Sequence, residues 1–132
     1  MNNQGLDDII RRTCNLNDGE HGHWKFEIND IGFICIADEN YNRMRIISPI
    51  VKMENIGQKE IMNCMEANFH TALDAKYAIS DGVLWAAFLH PLKELTESQV
   101  MNAISQVYSC AKTFGTTYSS SNLIFPRGKD NG

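Results

Sequence analysis

The sequence predicts an α+β domain with an antiparallel five-stranded sheet and the element order α-β-β-β-α-β-β-α. Stretches with a two-residue apolar period are joined by turns too short for a crossover helix, which favours antiparallel pairing. Three other stretches have apolar residues every three or four positions, as in a helix packed on one side. With 132 residues, 43% of them hydrophobic and 21% charged, the chain is most simply one folded domain.

The first predicted element is a short helix over residues 5–14. Leu6 and Ile10 lie at helical spacing, and an acidic pair precedes a basic pair, which suits the helix dipole. The segment that follows, NLNDGEHG, is polar and rich in turn-forming residues. We expect it to be a connector without regular structure.

Three strands are expected next, joined as a meander. In the first, Trp24, Phe26 and Ile28 alternate with polar residues, which is the period of a half-buried strand. An Asn-Asp turn leads into the second strand, GFICIA. A third strand follows the turn Asp-Glu-Asn and ends near Val51. The tight turns place consecutive strands side by side in opposite directions.

A second helix is predicted over residues 57–70, where the apolar period lengthens. Met65 and Phe69 lie on one face, four residues apart. Asn55 followed by Gln58 is a candidate capping pair for the start of this helix.

A hairpin is predicted after the second helix, with strands over residues 75–80 and 83–89. The two strands are joined by Asp81-Gly82. Asp-Gly between apolar runs is a strong hairpin signal, because the tight turn needs positive φ values that glycine adopts freely.

The last helix is predicted to begin at a capping box, TESQ over residues 96–99, and to end at Gly115. The segment after Gly115 is rich in Ser, Gly and Asn. We therefore predict a single domain over residues 1–115 and a flexible C-terminal tail over residues 116–132.

Composition excludes several classes of function. The net charge is −4, from 12 basic and 16 acidic residues, and no basic run offers a surface for nucleic acid. No apolar run approaches the roughly 20 residues that span a bilayer, and the N-terminus has no signal-peptide pattern. The four cysteines are scattered without a CxxC pair, so we expect reduced thiols in a cytoplasmic protein.

The histidines form the only cluster with metal-like chemistry. His21 and His23 stand two apart in a polar loop, a spacing that can share a metal only if further ligands are supplied. His70 and His90 are accompanied by no nucleophile elbow, phosphate loop or paired carboxylates. The sequence thus predicts no catalytic residue, no cofactor and no metal. A small-ligand or metal-binding domain that uses the His21/His23 loop stays open as the alternative.

The helices and the last strand carry more apolar residues than one core face requires. Uncharged polar residues border the apolar arc of the last helix, and the last strand is apolar on both faces. Exposed apolar patches of this size are typical of protein–protein contacts. The candidate dimer or peptide-binding residues are Met62, Met65, Phe69, Trp85, Val100, Ile104, Val107 and Tyr108.

The second half of the chain contains Asn68 at the end of the middle helix, the strand KYAIS, the turn Asp81-Gly82, the strand VLWAAFLHPL, and Leu95-Thr96 opening a final helix with Gln99. In these features the segment from Asn68 to Ala111 resembles the YbjN-like family, which is related in fold to the type III secretion chaperones of the CesT group. With the preceding meander, the resemblance covers roughly residues 5–115.

This resemblance implies a small, acidic, non-enzymatic homodimer that binds an extended peptide segment of a partner protein across its sheet and helix surfaces. It implies no catalytic residues, and it gives no account of the histidine loop or of the tail. We therefore predict a cytoplasmic, dimeric peptide- or protein-binding module, chaperone-like or regulatory.

Overall fold

The computed structural model describes residues 1–20 and 22–120 of the chain. Its elements are α1 (Asn3–Thr13), β1 (Asn15–Glu20), β2 (His23–Ile28), β3 (Ile31–Asp38), β4 (Arg43–Lys52), a 3-10 turn (Met53–Asn55), α2 (Gln58–His70), β5 (Lys76–Ser80), β6 (Val83–His90) and α3 (Glu97–Thr113). Within these residues the strands form one antiparallel sheet in the order β1-β2-β3-β4-β6-β5. The predicted α+β class with an antiparallel sheet is confirmed.

The sheet has six strands rather than the five expected, because the segment predicted as a connector forms the edge strand β1. Leu16 is its only large apolar residue, and a bulge between Leu16 and Asp18 interrupts its pairing with β2. An edge strand with a bulge and mainly exposed side chains leaves no apolar alternation in the sequence. Backbone pairing with β2 defines this strand, which a search for apolar periods misses.

The core lies between the three helices and one face of the sheet, here called the inner face. α1 and α3 pack their apolar sides on it, and α2 packs beside the edge strand β5. The large buried side chains of this core include Leu6, Ile10, Trp24, Phe26, Phe33, Ile46, Leu84, Val100 and Val107. Burial of such side chains is the main favourable term in the stability of a domain this small.

A side-chain hydrogen bond fixes α1 to the inner face. The indole N–H of Trp24 donates to Asp7 Oδ1 at 2.9 Å, and Arg11 Nε donates to the other oxygen of the same carboxylate at 2.9 Å. The bond from Trp24, followed by the contribution of Arg11, holds the pKa of Asp7 below its usual value despite some desolvation.

Of the two helix caps predicted in the second half of the chain, one is confirmed and one is wrong. Thr96 and Gln99 form the expected capping box of α3. At α2 the expected pair Asn55–Gln58 is wrong: the N-cap is Gly57, whose N–H donates to Glu60 Oε1 at 2.9 Å. Asn55 is displaced from the cap because it belongs to the preceding 3-10 turn.

The β5–β6 hairpin is formed as predicted. Asp81 has φ of 51° and Gly82 has φ of 73°, so both turn residues occupy the left-handed region that the tightest hairpin turn requires. Ser80 and Val83 pair directly on either side of the turn.

Two amide side chains attach the helices to the edge strand β5. The Asn68 amide donates to Tyr77 O at 3.0 Å and accepts from Tyr77 N at 2.8 Å, satisfying both outward-facing backbone groups of that residue. Gln106 is buried, and its Oε1 accepts from Asp74 N at 2.7 Å and from Ala75 N at 3.0 Å. These contacts fix the connection between α2 and β5 on the inner side of the domain.

Residues 116–120, which the sequence assigns to the tail, pack back on the domain. Tyr118 and Ser120 are buried, and Ser109 Oγ donates to Ser119 O at 2.9 Å. Thr71 Oγ1 donates to Tyr118 O, which joins this segment to the end of α2. The rest of the predicted tail, residues 121–132, lies outside the described residues.

We expect Gln106→Ala to lower the free energy of unfolding by about 1–3 kcal/mol, because two backbone N–H groups lose their acceptor. Urea denaturation followed by tryptophan fluorescence measures this change. The control is Asn102→Ala on the exposed side of α3, for which we expect a change under about 0.5 kcal/mol. Equal losses in the two variants would contradict the role assigned to Gln106.

Candidate protein-binding surfaces

One side of α2 carries a ridge of exposed apolar side chains, here called the α2 stripe: Met62, Met65 and Phe69. Their exposed fractions are 51%, 62% and 77%. They recur at i, i+3 and i+7, so their side chains lie in one line along the helix. Cys64 and Ala67, on the other side of α2, are buried against the domain.

The position of α2 explains why this stripe is open. The helix packs beside the edge strand β5, so the core can cover only one of its sides. A surface helix normally has polar residues on its free side, and three large apolar side chains there are unusual. Phe69 contacts His70 edge to face at 4.8 Å between ring centres, which leaves most of the Phe69 ring in solvent.

The second exposed apolar surface is the face of the sheet that the helices leave uncovered, here called the outer sheet face. Strand register places Ile36 of β3 beside Arg45 of β4, and Arg45 beside Leu89 of β6. The next row across the same strands contains Ile34, Ile47 and Ala87.

Two large apolar side chains of the outer sheet face are exposed. Leu89 is 61% exposed and Ile36 is 37% exposed. They line a groove of 530 Å³ together with Arg45, and the other lining residues are Asp38, Tyr41, Arg43 and Met44. Both faces of β6 are apolar, and no helix of the described residues covers the outer one.

Trp85 also lies on the outer sheet face, but it is half-buried. It pairs with Pro49 on β4 and with Ala78 on β5. Its indole N–H donates to Ser80 O at 3.2 Å, so the ring is held against its own hairpin. Trp85 thus borders the outer sheet face and also packs within the hairpin.

Three predicted binding residues of α3 lie in the core of the domain. Val100 and Val107 have no exposed surface, and Ile104 has 4%. Their apolar period reflects packing on the inner face, and a partner could reach them only if α3 detached. Tyr108 is half-buried; its hydroxyl accepts from Asn29 Nδ2 at 3.2 Å, and Lys112 Nζ lies 5.9 Å from its ring centre.

Only part of the histidine loop lies within the described residues. His21 lies outside the described residues, and His23 is half-buried at the start of β2. In residues 1–20 and 22–120, no three His, Cys, Asp or Glu side chains come close enough together to hold a metal ion. The alternative of a metal or small-ligand site at His21/His23 therefore gains no support from the described residues.

A polar cleft of 360 Å³ lies between β6, the start of α3 and the connection to β5. Its charged groups already have structural partners. Lys76 Nζ donates to Asn68 O at 2.6 Å and to Ala72 O at 3.1 Å. Asp74 Oδ2 accepts from Gln106 Nε2 at 3.1 Å. The His90 ring, also in this cleft, has Nδ1 2.7 Å from Pro91 O.

The cysteines lie in surroundings that suppress thiolate formation. Burial raises the pKa of Cys35 to about 12, that of Cys64 to about 11 and that of Cys110 to about 12. Desolvation also raises the pKa of the half-buried Cys14. Since the thiolate is the nucleophile, these four side chains are weak nucleophiles at neutral pH.

Similar folds occur in solved protein complexes. A chain of the HopA1–SchA chaperone–effector complex superimposes with a TM-score of 0.63 at 15% identity, over 83% of this chain and 88% of that one. A chain of the Yersinia pestis complex of the type III secretion chaperone SycH with a stable fragment of YscM2 gives 0.63 at 12% identity, over 86% and 98%. The ExsC–ExsE complex gives 0.58 at 10% identity, over 86% and 97%.

The fold is of the type III secretion chaperone kind. This confirms the chaperone-like fold implied by the sequence resemblance. No protein-family model and no curated protein sequence matches the chain, so the YbjN-like family itself is not confirmed. No helix of the described residues is both long and apolar enough to cross a membrane.

We expect Cys35, Cys64 and Cys110 to resist a thiol reagent such as DTNB at pH 8 in the folded protein. Their raised pKa values keep them in the thiol form, and their burial excludes the reagent. Absorbance at the thionitrobenzoate band, before and after addition of guanidinium chloride, counts reactive thiols. A Cys14→Ser variant should show almost none until it unfolds; rapid labelling of that folded variant would contradict the expectation.

Proposed function

We propose that this chain is a non-enzymatic protein-binding module, chaperone-like or regulatory, that acts as a homodimer in the cytoplasm. The observation that carries the proposal is the pair of exposed apolar surfaces, the α2 stripe and the outer sheet face, on one small domain. Monomeric proteins rarely expose large apolar patches, and such patches mark sites of protein association.

The α2 stripe is the proposed dimer seam. Two copies of the chain related by a two-fold axis, the commonest symmetry of soluble oligomers, would each bury the same stripe against the other. Met62 and Met65 suit this role, because the unbranched thioether adapts to the opposing surface. Phe69 supplies the largest apolar area of the three, at the C-terminal end of the helix.

The outer sheet face is the proposed site for a protein partner. It lies on the side of the domain away from the packed helices, so a dimer through α2 leaves it accessible. Two of the structures with the same fold are described as complexes of a chaperone with a protein partner, which supports this role.

The absence of enzymatic activity is proposed from the state of the reactive side chains. The cysteine pKa values are raised, and the charged groups of the polar cleft are bound within the fold. A cysteine nucleophile needs a lowered pKa, and a charged catalytic group needs freedom to reach a substrate. These cysteines and these cleft residues do not meet those requirements.

We expect Met65→Glu to convert a dimer into a monomer, because a carboxylate facing its own copy would be desolvated beside a like charge. Light scattering coupled to size-exclusion chromatography measures the molar mass. The control is Met101→Glu, the same substitution at an exposed methionine of α3, which should leave the dimer intact. A wild-type chain that stays monomeric at high micromolar concentration would contradict the proposed dimer.

We also expect the wild-type chain to select binders from a random 16-residue peptide library displayed on phage. Leu89→Ser should weaken the binding of the selected peptides by at least about tenfold, because it removes an apolar anchor of the outer sheet face. Fluorescence anisotropy of the synthetic peptides gives their affinities. Failure to select any peptide, or binding that does not change in Leu89→Ser, would contradict the proposed site.

A further inference from the structure

Arg45 occupies an unusual position in the middle of an apolar row. The register of β3, β4 and β6 places its Cα directly between those of Ile36 and Leu89 on the outer sheet face. All three side chains are exposed, and all three line the same groove.

This guanidinium has no anionic partner within the described part of the chain. The ion pairs found there join Arg11 to Asp7 and Arg12 to Glu97, both far from the groove. Asp38, which also lines the groove, accepts hydrogen bonds from the N–H groups of Asn40 and Tyr41. Arg43, the next groove residue along β4, likewise forms no ion pair there.

A partner that covers Ile36 and Leu89 must also cover Arg45. Burying a guanidinium without a compensating anion is strongly unfavourable, whereas a carboxylate can accept two parallel N–H bonds from it. A partner that binds here therefore needs apolar side chains and at least one carboxylate on the same surface.

The spacing of the groove matches the width of a helix. Ile36 and Leu89 are two strand spacings apart, which is roughly 10 Å. An α-helix with its side chains is about 10–12 Å across, and its apolar stripe can contact both residues at once. A carboxylate at the centre of that contact side would lie over β4, near Arg45 and Arg43.

We propose, resting on the protein-binding function above, that the outer sheet face binds an acidic amphipathic helix of the partner, with a partner carboxylate paired to Arg45. The chain as a whole carries a net charge of −4, whereas this groove is lined by Arg43 and Arg45 with Asp38, so its local charge favours an acidic segment. Charge thus selects and orients the segment, and apolar contact supplies most of its affinity.

The test uses the phage-selected peptides and a double-mutant cycle. We expect the selected peptides to be enriched in Asp and Glu beside apolar residues at helical spacing. Replacing the glutamates of one peptide by glutamine should weaken its binding to the wild-type chain by at least about tenfold. The same replacement should have little effect on binding to Arg45→Gln, because the charge partner is already gone.

The matched control is Lys25→Gln, which removes a positive charge from β2 on the same sheet face but outside the groove. We expect its affinity to stay within about twofold of wild type and the glutamate effect to persist. Peptides that bind at Leu89 but are neutral or basic, or an equal glutamate effect in wild type and Arg45→Gln, would overturn the acidic-helix inference while leaving the protein-binding function intact. An equal loss in Lys25→Gln and Arg45→Gln would also overturn it. If no peptide is selected, the protein-binding function itself fails.

Discussion

No helix of the described chain covers the outer sheet face, and both candidate binding surfaces depend on this constraint. α1 and α3 fill the inner face, and α2 rests beside the edge strand β5. A six-stranded sheet covered on one side leaves its second face in water, where antiparallel sheets usually carry polar residues. Here the second face carries Ile36 and Leu89 instead. The same packing exposes the outer side of α2, so one arrangement of the helices accounts for both candidate binding surfaces.

Much of the fold could be predicted from local signals. Helix periods, the Thr96–Gln99 capping box and the Asp81-Gly82 turn specify local geometry, and each was found where the sequence indicated. β1 was missed because an edge strand is defined by backbone pairing with its neighbour, which leaves no apolar pattern. The α2 cap was misplaced because Glu60, rather than Gln58, reaches back to the first backbone N–H. The β1 error concerns hydrogen bonds to a neighbouring strand, whereas the cap error concerns a local bond between residues three apart.

The sequence predicted only part of the candidate surfaces. An apolar arc shows that a helix has a contact side, but it does not say whether the chain itself or another molecule makes the contact. On α3 the chain makes it, since Val107 is fully buried; on α2 it does not, since Met65 is 62% exposed. The groove around Arg45 was missed, because strand register alone brings Ile36 and Leu89 to either side of it. The one available signal was Arg45 next to the apolar residues Met44, Ile46 and Ile47.

The account depends most on the claim that α2, rather than α3, meets a second copy of the chain. Methyl NMR of methionine-labelled protein over a dilution series tests it directly, since the six methionines sample separate parts of the domain. The account predicts that the Met62 and Met65 signals shift with protein concentration, while the Met101 signal stays constant. The account would be contradicted if the Met62 and Met65 methyl signals kept the chemical shifts of solvent-exposed methionines at every protein concentration. A concentration-dependent shift confined to Met101 would also contradict it.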